Sequence, residues 1–229
     1  MAESKGRVMI LKDGPYLVRG SVPLVRLTIG VNAAGESVRW EKGETFPAQA
    51  QYALCRCGAS RRKPFCDGAH ARAGFDGTET ASREPYLEQA EVIEGPALRL
   101  TDAEALCTFA RFCDPNGRVW NLVERSDQPQ ARAFTEQESG DCPGGRLVAW
   151  DKATGKAHEP TLHPQAGLVE DPAQGCSGGI ALWGGVEVVG ADGKAYEVRN
   201  RQTLCRCGAS RNKPFCDGTH ASTKFTDAG

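Results

Sequence analysis

Residues 55–70 read CRCGASRRKPFCDGAH and residues 205–220 read CRCGASRNKPFCDGTH, so one string of sixteen residues occurs twice, differing only at Arg62/Asn212 and Ala69/Thr219. Helices and strands accept wide substitution, so near identity over this length is not the mark of a shared secondary structure. It marks a repeated unit with demanding chemistry. The ten cysteines follow the repeat: Cys55, Cys57 and Cys66, then a looser set of Cys107, Cys113, Cys142 and Cys176, then Cys205, Cys207 and Cys216. Met1–Lys12 lacks the apolar core of a secretory signal, and no apolar run reaches the roughly 18 residues of a membrane span. A reducing cytoplasm is therefore expected, where clustered cysteines bind metal more often than they form disulfides. With 40% hydrophobic and 25% charged residues the chain reads as an ordinary globular one. Its formal net charge of -1 gives no pull towards nucleic acid or an anionic membrane.

The repeat continues upstream in weaker form. Gly14–Val25 can be laid against Gly178–Val189. Both stretches are apolar and broken by glycine, as two short strands joined at a bend would be. A further strand precedes each cysteine loop, at Ser37–Trp40 in the first copy and Ala195–Arg199 in the second. Asp192-Gly193 supplies a hairpin turn, and Glu41–Gln51 reads as a surface loop. Between the copies, Arg83–Glu94 suits a helix or a linker. Thr101-Asp102-Ala103-Glu104 is a capping-box signature for a helix running to about Phe112. Strands are expected at Arg118–Val123 and Arg146–Trp150, and loop over Ala153–Gln174. The fold class is α+β, mostly β, with domains over residues 1–82, 83–174 and 175–229. Each cysteine unit is too small to hold a confident core alone, so metal and the other copy would both support it.

In an extended loop, Cys55 and Cys57 can reach one iron. Cys66 and His70, four apart, share a face if a helix begins between Asp67 and His70. Gly58 and Gly68 let backbone approach the site, Phe65 and Pro64 would cover one side, and Ser60 can close the loop internally. Arg56, Arg61 and Lys63 read as a local basic rim. Spacing alone leaves a structural Cys3His zinc site open beside an iron–sulfur site. The full pattern resembles the CDGSH iron–sulfur family, C-x-C-x2-S/T-x3-P-x-C-D-G-S/A/T-H. It is met at Cys55, Cys57, Ser60, Pro64, Cys66, Asp67, Gly68, Ala69 and His70. It is met again at Cys205, Cys207, Ser210, Pro214, Cys216, Asp217, Gly218, Thr219 and His220. The resemblance spans Gly14–Phe75 and Gly178–Phe225. It implies two 2Fe-2S clusters, with Cys55 and Cys57 on an inner iron and Cys66 and His70 on an outer one. In the second copy the corresponding ligands are Cys205, Cys207, Cys216 and His220. It also implies an intramolecular pseudo-dimer acting as a monomer.

A neutral imidazole in place of a thiolate removes a negative charge and raises the reduction potential. A proton also competes with iron for imidazole, so acid is expected to release such a cluster. His158 and His163, in a proline-rich stretch, are not expected to be ligands. In the middle, Cys107-x5-Cys113 followed by Cys142-Pro143 resembles a divergent single-cluster ferredoxin over Leu106–Leu147. That implies a third iron–sulfur cluster, 3Fe-4S or 4Fe-4S, with Cys176 as a fourth candidate. Packed or redox-active thiols, or zinc, are the competing readings of these cysteines. No nucleophile–base pair, phosphate loop or dinucleotide fingerprint is present, so no enzyme is expected. The leading expectation is single-electron transfer to or from unidentified redox proteins. Storage of clusters, or their transfer to apo iron–sulfur proteins, is the alternative, followed by a zinc-stabilised interaction module. Neither nucleic acid nor membrane is an expected partner.

Overall fold

The computed structural model describes residues 6–227, so residues 1–5 and 228–229 of the outer segments lie outside the described residues. Thirteen strands form three sheets. They are β1 (Arg7–Ile10), β2 (Tyr16–Arg19), β3 (Leu24–Val31), β4 (Ser37–Thr45), β5 (Gln51–Leu54), β6 (Glu91–Glu94), β7 (Leu98–Asp102), β8 (Leu147–Asp151), β9 (Ala157–His158), β10 (Gln165–Asp171), β11 (Cys176–Trp183), β12 (Glu187–Val189) and β13 (Arg201–Leu204). The helices are α1 (Ala69–Arg72), α2 (Tyr86–Gln89), α3 (Val119–Val123), α4 (Pro129–Asp141) and α5 (Thr219–Ser222).

The first sheet runs β12-β1-β2-β5 and the second β13-β11-β10-β3-β4. The two are built alike, and they exchange strands between the halves of the chain: the first takes β12 and the second takes β3 and β4. β12 lies parallel to β1, with Val8 opposite Val188, and β3 lies parallel to β10, with Leu24 opposite Ala166. β2 then pairs with β5 as β11 pairs with β13, Tyr16 facing Leu54 and Ile180 facing Leu204. One hydrophobic core therefore serves both halves, joining Val8, Ile10, Tyr16 and Leu54 to Leu168, Ile180, Val188 and Leu204. Neither half owns enough apolar surface to close this core alone, which is the physical pressure behind the exchange. The burial alternates along these strands (eBiB in β1 and β5, BiBe in β2), as expected for sheets with one face packed.

The middle segment is an antiparallel sheet, β6-β7-β8-β9, with α3 packed on it through Leu98, Leu100, Val119, Val123, Leu147 and Ala149, and α4 lying against α3 and β8. Several expectations fail here. Val119–Val123 is helical: Val119, Leu122 and Val123, spaced i, i+3 and i+4, bury one helix face, and it is the β-branched and aromatic composition of so short a run that suits a strand. The helix expected from Thr101 to Phe112 is reduced to one 3-10 turn, Glu104–Leu106, because Thr101 and Asp102 are held in β7 against β8. Arg83–Glu94 holds the short α2 and then β6, and α4 was not anticipated. The stretch Ala153–Gln174 contains β9 and β10 rather than loop alone. Glu41–Gln51 is half strand, since β4 runs to Thr45. Ala195–Arg199 forms only a single bridge, Val189 with Ala195, across the Asp192-Gly193 turn. The strand β8 lies where Arg146–Trp150 was expected, shifted by one residue.

The two cysteine loops meet at an antiparallel bridge between Cys57 and Cys207. A Cβ at Gly58 (φ +76°) would stand 2.5 Å from the Cys207 carbonyl oxygen, and one at Gly208 (φ +81°) 2.5 Å from that of Cys57. Tyr16 reinforces the junction by donating its hydroxyl to the carbonyls of Cys205 (2.8 Å) and Pro214 (3.1 Å) in the opposite loop. Gly35 has a similar φ of +80° but open space around it. Gly208→Ala should therefore cost ~2–5 kcal/mol of unfolding free energy against ~1–2 kcal/mol for Gly35→Ala, the difference being the loop–loop clash. Denaturant unfolding of the two variants beside wild type checks this; equal losses would show that the loops have room to part.

Candidate metal centres

In each loop the four donors stand as two pairs. The Sγ atoms of Cys55 and Cys57 are 3.8 Å apart and those of Cys205 and Cys207 3.7 Å. Cys66 Sγ lies 3.5 Å from His70 Nδ1, and Cys216 Sγ 3.3 Å from His220 Nδ1. The geometry follows from the local chain. Cys66 is tied to β5 by its N–H to the Ala53 carbonyl, and Cys55 to the Pro64 carbonyl. Asp67 then folds the next turn, accepting from the N–H groups of Arg61 (3.0 Å) and Ala69 (3.0 Å), so that α1 starts at Ala69 and swings His70 back over Cys66. Asp217 does the same for α5. Ser60 and Ser210 close their loops by donating to Phe65 and Phe215, each at 2.7 Å. Phe65 is packed edge-on against Phe46 and Tyr52.

The electrostatics suit a bound cationic group. The N–H groups of Ala59 and Gly68 donate to Cys57 Sγ (3.5 Å) and Cys66 Sγ (3.4 Å), the contacts that stabilise thiolate. Burial nonetheless pushes the Cys57 thiol up to about 11 and raises Cys216 well above an ordinary cysteine. Thiols that must be deprotonated together in a dry loop repel one another, and a metal relieves the repulsion. Burial, with Arg206 nearby, brings His220 down to about 4, so its ring is held neutral, the form that binds metal. Paired thiols and an imidazole with peptide N–H groups aimed at sulfur are the donor chemistry of an iron–sulfur group. Among the described residues, no three His, Cys, Asp or Glu groups gather around one point as ligands of a single ion would.

Cys107, Cys113 and Cys142 are brought together. With Thr108, Phe112, Pro143 and Arg146 they line one small cavity. Burial pushes Cys113 up to about 12, with Asp114, Cys142 and Cys107 adding to the rise. Arg146 faces the same cavity, locked by Asp102 through Nε (2.5 Å) and Nη2 (2.8 Å). Cys176 is not with them: it opens β11 and lines a different cavity, beside Thr28, Pro172 and Gly175. His158 lies in β9, 3.4 Å from Glu136, and His163 lies by Gly184, both away from the cysteines.

Arg56 is not part of a basic rim. It and Arg206 are buried to 2% exposure beneath their loops. Arg56 lies against the rings of Tyr16 and Phe75, and Arg206 against Phe225. The signal was present in the sequence, since the residue between the first two cysteines is arginine in both copies, but spacing does not tell a buried cation from a surface one.

Residues 13–71 and 177–221 match the family described as iron-binding zinc finger, CDGSH type, and residues 93–152 match the divergent 4Fe-4S mono-cluster family. Neither a curated relative nor a solved structure matches the chain. It is an iron–sulfur protein with a CDGSH-type iron-binding region towards each end and a divergent mono-cluster, ferredoxin-like region between them.

Proposed function

We propose that the chain carries two 2Fe-2S clusters, one held by Cys55, Cys57, Cys66 and His70 and one by Cys205, Cys207, Cys216 and His220, and that it transfers single electrons between proteins. The observation that carries this reading is the pairing of donors, Cys with Cys and Cys with His, repeated in both loops at 3.3–3.8 Å. When bound, such a cluster accepts and releases one electron. The chain's own part is to fix the donors, to exclude water, and to hold a neutral imidazole and a buried guanidinium close by, which lower the negative charge around the site. Cys107, Cys113 and Cys142 are proposed to hold a third cluster with three protein thiolates, since Cys176 lies elsewhere. The contact that a second chain would otherwise supply is made internally at Cys57 and Cys207, which favours a monomer. Its partners are one-electron protein donors and acceptors, and no chemistry on a small substrate is proposed. No helix of the described residues is long and apolar enough to cross a membrane, and a cytoplasmic setting is part of the proposal.

A second reading, delivery of clusters to apo proteins, is favoured by one observation: His70, on the first loop, is only half-buried, so its bond to iron would open towards solvent. The two readings separate in one experiment. Holo protein mixed with an apo-ferredoxin should keep its visible absorbance while a reductant bleaches it reversibly; absorbance moving to the ferredoxin would replace electron transfer by cluster delivery.

Iron and acid-labile sulfide counted per chain on anaerobically prepared protein should give about seven iron if the third cluster is 3Fe-4S and about eight if it is 4Fe-4S. Cys113→Ser should reduce that to about four, with both 2Fe-2S spectra intact. Four iron in wild type would make the middle cysteines structural, and colourless zinc protein would end the iron–sulfur assignment.

A further inference from the structure

The cysteine loops are so alike in sequence that any difference between them must come from what the rest of the chain packs around them. Two such differences are present, and both act on the same pair of sites. The first is charge. Arg206 is fully paired: it donates to Glu170 (3.0 Å) and Asp227 (2.6 Å) and to the carbonyls of Gly178 and Val169. Arg56, equally buried, donates only from Nη2 to the Gly77 carbonyl at 2.6 Å, and its Nε and Nη1 have no hydrogen-bond partner. Among the described residues no carboxylate stands within ion-pair distance of it; Asp76 acts on it only from farther away. The reason is written in the repeat. Phe75 and Phe225 close equivalent turns back onto His70 and His220, and two residues on, the first copy has Gly77 where the second has Asp227.

The second difference is cover. His220 is 4% exposed. The middle segment lies over it, with Thr108, Phe109 and Ala110 closing a small cavity against His220, Asp171 and Thr203. A Cβ on Gly218 would come 3.0 Å from Phe109 Cβ, whereas one on the equivalent Gly68 would meet nothing within 4 Å. The segment that covers the second site also brings Cys107 to it: the Cys107 carbonyl lies 3.6 Å from the same Gly218 position.

We propose that the two near-identical sites are deliberately unequal, with the uncompensated guanidinium of Arg56 making the first site the stronger electron acceptor and the middle segment making the second a shielded relay. This rests on the two-cluster reading above. A buried positive charge without a counter-ion stabilises the reduced form, which carries one more negative charge, while Glu170 and Asp227 cancel that effect at the second site. One electron leaves the second site, which is oxidised, and enters the first, which is reduced; no bond or proton moves. The site that collects it is the one whose histidine faces solvent, where a one-electron protein acceptor can approach. Arg56 is thus a positioning residue for charge, not a ligand.

The test is a redox titration of the full holo protein followed by electron paramagnetic resonance. His70→Cys marks the first site by changing its ligand set and hence its signal. The two sites should reduce in separate waves, differing at least tenfold in equilibrium constant (~59 mV for one electron), the His70-ligated site first. Arg56→Gln should lower the midpoint of that wave alone, and Asp227→Asn, which removes one of the two carboxylates paired with Arg206, should raise that of the other alone. A soluble paramagnetic relaxer should ease saturation of the first site's signal and leave the second unchanged. Coincident waves, first reduction at the second site, or an Arg56→Gln variant with unmoved midpoints would overturn the inequality while leaving two clusters in place. Absence of any cluster signal would instead remove the reading on which it stands. Should Arg56→Gln not retain its clusters, the Asp227→Asn shift decides: an unmoved second wave overturns the proposal.

Discussion

Everything in this molecule is arranged around the back-to-back contact of two loops that must each gather three thiols. At Cys57 and Cys207 the backbones run so close that each loop places a glycine against the other's carbonyl, and no side chain fits between. Such a contact cannot be held by the loops themselves, which are short and carry buried polar groups. It is held from behind, by sheets that exchange a strand and by Tyr16, whose hydroxyl crosses to the opposite loop. The exchange makes the halves inseparable: pulling one loop away would also strip β12 from β1 and β3 from β10. A frame of this kind keeps the four donors of each loop in two close pairs.

Charge is the second constraint. A loop with three thiolates concentrates negative charge in a dry place, and the chain answers with arginine directly beneath it. Burying a guanidinium is costly unless it is paired or faces charge that compensates it. Arg206 meets both conditions, with two carboxylates and two carbonyls around it. Arg56 has one carbonyl and two aromatic faces, so its natural counter-charge is the site itself. Similar loops on unequal supports give two nearly identical sets of donors different electrostatic surroundings.

What could be read in the sequence divides along the same lines. Within the cysteine loops the closeness of Cys66 to His70 and the closure by Ser60 were legible, because those features depend on residues within sixteen positions of one another. Strand exchange was not legible: β1 and β12 pair across 180 residues, and β10 sits in a stretch rich in proline, glycine and histidine that reads as loop. The helix expected after Thr101 lost to tertiary pairing, since Thr101 and Asp102 gain more as part of β7, where Thr101 meets Tyr86 and Trp150, than as a cap. The buried arginines were misread for a related reason. An arginine in a polar loop looks solvated until the fold shows a ring on one side and a carbonyl in front of it.

The middle segment gains its meaning from where it lands rather than from what it contains. Phe112 joins Val25, Leu27, Ile29 and Val169 in a small core that fastens the segment to the second sheet, with Trp40 and Trp183 against it. The pair Arg111 and Asp171, Nη1 to Oδ2 at 2.6 Å, ties the same stretch to the end of β10. Both attachments, at Arg111 and Phe112, follow Phe109 within three residues, so the residue that covers His220 is pinned close to its own position. An insert free to swing would cover either loop by chance. One that is bolted to β3, β10 and β11 can shield only the second, and it does so while bringing Cys107 to the edge of that site. Asymmetry between two nearly identical loops is thus a consequence of a connection, set by where the chain must travel between its first copy of the motif and its second.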